Sequence, residues 1–180
     1  VNVAAVTTIT GTYAEIVAAY AVQGQANRIL GLGNEAITVT GSLTVAQANV
    51  VAALTTGVVT ATISHGDMST LSGLTETGNA YTITVTDTSA PAVNLTNLDA
   101  KTTVTVNASA VTTINGTAAE INSVYAAGTA GTITGLGNEA VILSDTSINA
   151  SALITLDAFT SGIINASSIT SLTGTAADIN

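Results

Sequence analysis

Apolar and polar positions follow two periods along this chain, and the periods take turns. Runs with every second residue apolar and β-branched predict strands: "AITVTG" from Ala36, "VVTATIS" from Val58, "YTITVTD" from Tyr81 and "AVILSD" from Ala140. "TVTVNASAVTTI" from Thr103 and "IINASSITSL" from Ile163 extend the series. Between them lie short stretches with helical spacing. Tyr13, Ile16, Val17 and Tyr20 follow i, i+3, i+4, i+7. Thr12 with Glu15, Thr44 with Gln47 and Thr117 with Glu120 read as capping boxes, and Thr175 with Asp178 as a shorter version. Pro91 falls where a further helix should begin, a position that needs no N–H. Helices are expected to start near Thr12, Thr44, Thr117 and Asn149. Each spans about three turns or fewer and gains its stability from packing rather than propensity.

The same wording recurs. "VTTITGTYAEI" from Val6 returns as "VTTINGTAAEI" from Val111 and "ITSLTGTAADI" from Ile169, and "GLGNEA" stands at Gly31 and again at Gly135. The stretch from Asn97 matches the stretch from Thr155 at an offset of 58 residues, and the first module matches the third at 104 to 105. Taking Gly11, Gly73, Gly116 and Gly174 as markers of the ends of like strands, the middle unit is shorter by about 15 residues. The missing part corresponds to a helix and its lead-in, with "TETGNAY" in its place. The chain therefore reads as one continuous repeat array over 1–180, with approximate modules 1–62, 63–105 (shortened), 106–163 and 164–180 (partial). Each module holds two coils of about 29 residues, each a strand region, a turn and a short helix. Like strands stack most simply as a parallel sheet. The expected fold is an α/β solenoid, with a pure β-solenoid as the alternative. Leu98 and Leu156, Ile16 and Ile121, and Asn107 and Asn165 are expected in equivalent places. The ends carry Val1, Val3 and Val6 and Ile163, Ile164 and Ile169 with almost no charge beside them, so they are expected to be covered by more protein.

Composition narrows the partners. Charged residues are 7% of the chain, against about 25% in an average globular protein. Hydrophobic residues reach 47% with aromatics at 3%, so the core is Val, Ile, Leu and Ala and the surface is Thr, Ser, Asn and Gly. The net charge is −9 and the only cations are Arg28 and Lys101. Phosphate backbones and anionic lipids are both bound mainly through Lys and Arg, so neither nucleic acid nor membrane is expected as a partner. No apolar run approaches a membrane span of about 18 residues. There is no cysteine, which excludes disulfides and thiolate chemistry.

Candidate chemistry is sparse. His65 in "SHGDM", with Ser64, Ser69 and Asp67 nearby, has the residue types of a hydrolase site, but a nucleophile also needs an oriented base and an oxyanion site. The preferred reading is a polar loop. Asp87 and Asp145 precede one helix type, and Asp99 and Asp157 close it. These four are the candidate Ca²⁺ ligands, since calcium takes oxygen donors. No DxDxDG run is present, and turn and cap duty is preferred, with weak ion bridging between chains as the alternative. "GLGNEA" lacks the Lys-Ser/Thr of a phosphate loop and reads as a tight turn before a strand. Glu35 and Glu139 recur because that coil recurs. Asn2, Asn107 and Asn165 are expected to form a ladder satisfying turn backbone, with glycosylation at the Asn-Ala-Ser sequons as the alternative. Threonine rows such as "TITVT" raise ice binding, but the third copy reads "VILSD" and the row breaks. No catalytic residue or cofactor is expected, and the chain is not expected to be an enzyme.

"LTGTAADIN", "ITGLGNEAV", "LSDTS" and "TLDAFTSG" followed by "NASS" resemble the tandem repeats of very large secreted cell-surface proteins of bacteria, marine cyanobacteria especially. The resemblance covers nearly the whole chain. It implies an extracellular surface-layer, filament, stalk or adhesin role, with copies of the chain itself as partners. Recognition of a glycan or another surface is the second reading.

Overall fold

A computed structural model of the chain describes residues 2–23 and 29–179, residue 179 by its backbone alone. Val1, Arg28 and Asn180 lie outside the described residues. Two compact units are formed: residues 1–84 with 100–104, and residues 85–99 with 105–180.

In the first unit the order is β1 (Thr8–Gly11), α1 (Tyr13–Ala21), β2 (Ala36–Leu43), α2 (Val45–Ala52), β3 (Val59–Ile63), α3 (Met68–Leu71) and β4 (Ala80–Thr82). The strands form one parallel sheet in sequence order, β1-β2-β3-β4. β1, β2 and β3 are each followed by a helix, and the next strand in sequence lies beside the last. The sheet faces inward on alternate residues. Val59, Ala61 and Ile63 are buried while Thr60 and Thr62 are exposed, as period-two alternation requires. On the outer face Thr10, Thr38 and Thr60 fall in register, but the next partner is Ala80. A register shift between Thr38 and Ser42 further breaks the second column. A regular two-threonine array on every strand is therefore not built.

The second unit holds β5 (Ser89–Pro91), α4 (Ala92–Asp99), β6 (Val106–Asn107), β7 (Thr113–Gly116), α5 (Ala118–Ala130), β8 (Ile133–Thr134), β9 (Ala140–Leu143), β10 (Ser147–Asn149), α6 (Ala150–Asp157), β11 (Ile164–Asn165), β12 (Ser171–Thr173) and α7 (Ala176–Ile179). Its sheets run β11-β9-β7-β5, β6-β8 and β10-β12, all parallel. The chain is thus a mixed α/β protein with parallel strands in several small sheets.

The helix starts fall where the caps place them. Thr12, Thr44 and Thr117 are N-caps with complete capping boxes, and Asn149 caps α6 through the Ser151 amide. Ile16, Ile121, Leu98 and Leu156 are all buried, as the repeat alignment requires.

Two expectations are corrected. Gly73 does not end a strand. It closes the single turn of α3, donating its N–H to the Thr70 carbonyl, and the strand of that coil is β3. That turn is capped by Asp67, and no helix forms over 75–81, where "TETGNAY" stands in place of one. The asparagines do not stack on one another either. Each of Asn2, Asn107 and Asn165 accepts the amide two residues on in its own turn, and the strand partner of Asn107 is Thr134. The asparagine side chain mimics a turn within one coil.

Candidate functional site

The "GLGNEA" turns hold the two buried carboxylates among the described residues. Glu35 and Glu139 are fully buried. Each carboxylate folds back to the amide of the glycine two residues before it, Gly33 at 2.8 Å and Gly137 at 2.9 Å. Each also accepts a hydroxyl from the helix of the preceding coil: Tyr20 to Glu35 at 2.8 Å, Tyr125 to Glu139 at 3.1 Å. A charge out of water is tolerated only where hydrogen bonds replace solvation. Burial pushes the Glu35 carboxyl upward, but the Gly33 amide and the Tyr20 hydroxyl outweigh it and hold the group below the usual carboxylate range. Burial, followed by the hydrogen bond to Glu35, pushes the Tyr20 hydroxyl up to about 12. Oε1 of Glu35 accepts no bond, so this cluster is held through Oε2.

A second recurring device joins each turn to the following coil. The Thr55 hydroxyl donates to the Glu35 carbonyl at 2.6 Å and accepts the Gly57 amide at 2.9 Å. Thr160 does the same between the Glu139 carbonyl and the Gly162 amide, and Thr102 between the Tyr81 carbonyl and the Val104 amide. A Cβ at Gly57 or Gly162 would run into the Glu35 or Glu139 carbonyl oxygen, so glycine is required there for close approach. Tyr81 therefore stands where the other two coils have glutamate. The coil before it, which keeps only the turn α3, offers no helix tyrosine. A buried phenol takes the place of the buried carboxylate, and burial pushes it up to about 12.

The four candidate calcium ligands do not converge. Asp145 accepts the Ala118 amide at 2.7 Å, a free N–H in the first turn of α5. Asp99 accepts the Thr132 hydroxyl at 2.8 Å. Asp157 lies at the end of α6 beside an apolar cavity, and Asp87 is half-buried ahead of β5. Among the described residues no three His, Asp or Glu side chains are gathered as a metal would need.

The "SHGDM" residues are engaged separately. Nδ1 of His65 accepts the Val45 amide at 3.2 Å at the start of α2, so this nitrogen carries no proton in that bond. The Ser64 hydroxyl donates to the Leu43 carbonyl. Asp67 accepts from Ser69 and from the Thr70 amide at the start of α3; the Thr70 hydroxyl first, then Ser69 and the Thr70 amide, hold its carboxyl down to about 2. His65 and Asp145 thus do the same work, each capping the helix of the preceding coil.

One cleft of about 330 Å³ has aromatic walls. Tyr125 and Phe159 stack with centroids 5.6 Å apart and planes 10° from parallel, beside Leu136 and Gly128. Reading along the sequence missed the tyrosine–glutamate clips and the threonine bridges. Their signal was present: Thr55, Thr102 and Thr160 share one place in the repeat alignment, as do Tyr20 and Tyr125. No helix among the described residues is long and apolar enough to cross a membrane. No protein-family model, curated protein or solved structure matches the chain.

Proposed function

We propose that the chain is a structural, self-associating segment of a secreted bacterial cell-surface protein, built as an α/β solenoid and serving a surface layer, filament or extended stalk. One observation carries this reading. The polar residues that a catalyst or receptor would present to a ligand are spent on joining one coil to the next. Glu35 and Glu139 bind the helix before them, Thr55, Thr102 and Thr160 bridge to the turn before them, and His65 and Asp145 cap the helix before them. Such nearest-neighbour bonding adds stability coil by coil and sets no limit on length, as in repeat proteins generally. The wording of the repeats, similar to that of giant bacterial surface proteins, supports an extracellular place. The low charge favours lateral contact between copies, since little repulsion opposes it.

Electron microscopy and sedimentation of the purified chain at micromolar concentration test the reading. Filaments or sheets are expected, and Val3→Lys with Val6→Lys is expected to reduce assembly. A stable monomer under these conditions counts against an assembling role. The Tyr125–Phe159 stack favours a second reading, an adhesin module that recognises a glycan, because sugar faces pack on aromatic rings. Glycan binding lost in Phe159→Ala, by a protein that stays monomeric, would shift the conclusion to that reading.

A further inference from the structure

We infer that the cleft between the end of α5 and the second "GLGNEA" turn is a binding site for a neutral sugar carrying an acetamido group. The inference rests on the second reading above, glycan recognition at the Tyr125–Phe159 stack, and adds the class of sugar and the atom that selects it.

The two units build the same turn and fill it differently. Gly31 and Gly135 have φ of 92° and 86°, and Gly33 and Gly137 have φ of 132° and 124°. Glu35 and Glu139 each bond back to the glycine two residues before them, and Tyr20 and Tyr125 each reach that carboxylate from the preceding helix. The turn backbones are therefore alike, and the carbonyls of Leu32 and Leu136 stand in equivalent places. In the first unit this carbonyl is met. Gln23, three residues after Tyr20, donates its side-chain amide to Leu32. Three residues after Tyr125 comes Gly128, which has no side chain to give. Among the described residues no group donates to the Leu136 carbonyl. A backbone carbonyl is a strong acceptor that calls for a partner.

The same replacement opens space. A cleft of about 330 Å³ lies here, with Gly128, Leu136, Tyr125 and Phe159 among its walls. Phe159 stands where the first unit has Leu54, each just before the bridging threonine. The wall thus gains an aromatic ring that is 36% exposed and backed by Tyr125.

The occupant follows from what Gln23 supplies in the first unit and from what the second unit adds. A carboxamide N–H satisfies this carbonyl. An exposed ring packs against the C–H face of a pyranose, and the volume falls within the range of small-molecule sites. An N-acetylated amino sugar carries both features on one rigid frame. No charged side chain among the described residues lines the cleft, and the net charge of −9 disfavours acidic sugars.

The test is a nuclear magnetic resonance titration of the full chain with two β-1,4-linked trisaccharides, one of N-acetylglucosamine and one of glucose, which differ only at C2. The acetylated sugar is expected to bind at least about fivefold more tightly, the net effect of one hydrogen bond, and to shift the amides around Gly128 and Leu136. Gly128→Gln, which supplies the side chain of the first unit, is expected to abolish binding. Its Cβ would lie 3.2 Å from Cδ1 of Leu136, the movable end of a side chain, and circular dichroism is expected to show an intact helix. Phe159→Leu is expected to weaken binding at least about fivefold and decides the matter should the glutamine variant lose helix. Equal affinity for the two sugars overturns the inference; if Phe159→Leu then weakens both, glycan recognition stands without it. Saturable binding of neither sugar overturns both. Undiminished binding by a folded Gly128→Gln also overturns the inference, since the site then lies elsewhere. Sedimentation, the test of assembly, is read independently of these outcomes.

Discussion

The Tyr20 hydroxyl reaches across 15 residues to donate to the buried Glu35 carboxylate at 2.8 Å, and the same pair is built again by Tyr125 and Glu139. Removing the donor leaves a buried charge short of a partner. Tyr20→Phe is expected to destabilise the first unit by about 1–3 kcal/mol, the range for stranding a buried polar group. Tyr125→Phe is expected to act likewise in the second unit. Urea unfolding followed by circular dichroism measures both. Changes within experimental error would show that the clip contributes nothing net.

Acid should weaken the first unit. The folded Glu35 carboxyl is held below its ordinary value, while in the unfolded chain it returns to about 4.3. A depressed folded value contributes stability that is fully present above the unfolded value and lost as pH falls through the folded one. The melting temperature is expected to decline as pH drops below about 4, and Glu35→Gln is expected to flatten part of that decline. An identical acid limb in the variant would remove Glu35 as its source.

Base should act through tyrosine. Tyr20, Tyr81 and Tyr125 are each pushed up to about 12, chiefly by burial. A raised folded value contributes stability that is present below the unfolded value of about 10 and lost as pH rises through the folded one. Ultraviolet titration of phenolate is expected to show these three ionising late and together with loss of helix signal. Ionisation of all tyrosines near pH ~10 in a still-folded protein would contradict their burial.

The threonine bridges are expected to matter in proportion to the bonds lost. Thr55→Val and Thr160→Val each remove one donor and one acceptor at a close backbone approach, at a cost of about 1–3 kcal/mol. Gly57→Ala is expected to be worse, because the added methyl meets the Glu35 carbonyl oxygen and the backbone must move. Thermal melts of the three variants rank them. Gly57→Ala milder than Thr55→Val would show that the two coils separate without strain.

Asp145 separates the capping and calcium readings. Its carboxylate caps α5 through the Ala118 amide, so Asp145→Ala is expected to cost about 0.5–2 kcal/mol with or without chelator. The wild-type melting temperature is expected to be the same in EDTA and in millimolar Ca²⁺. A calcium-dependent rise abolished in Asp145→Ala would instead assign it as a ligand.

Local chemistry was legible along the chain. A threonine three residues before Glu or Gln satisfies the first amides of a helix wherever it stands, so Thr12, Thr44 and Thr117 could be placed without knowing what lies above or below them. Alternation along "VVTATIS" assigns faces to β3 for the same reason, since neighbouring side chains must point apart. The repeat spacing likewise foretold the burial of Leu98 and Leu156. What joins one coil to the next was not legible. Glu35 and Glu139 looked like turn residues, because nothing local says that a carboxylate will be buried. That follows only when the tyrosine of the preceding helix arrives opposite it. Gly73 misled for the opposite reason: its neighbours spell a strand ending, yet the capping bond from Asp67 and the packing of Met68 and Leu71 into the core turn them into α3. The choice of partners among Asp145, His65, Thr55 and Thr160 depends on distances between segments 20 or more residues apart in sequence, and those distances exist only once the chain has folded.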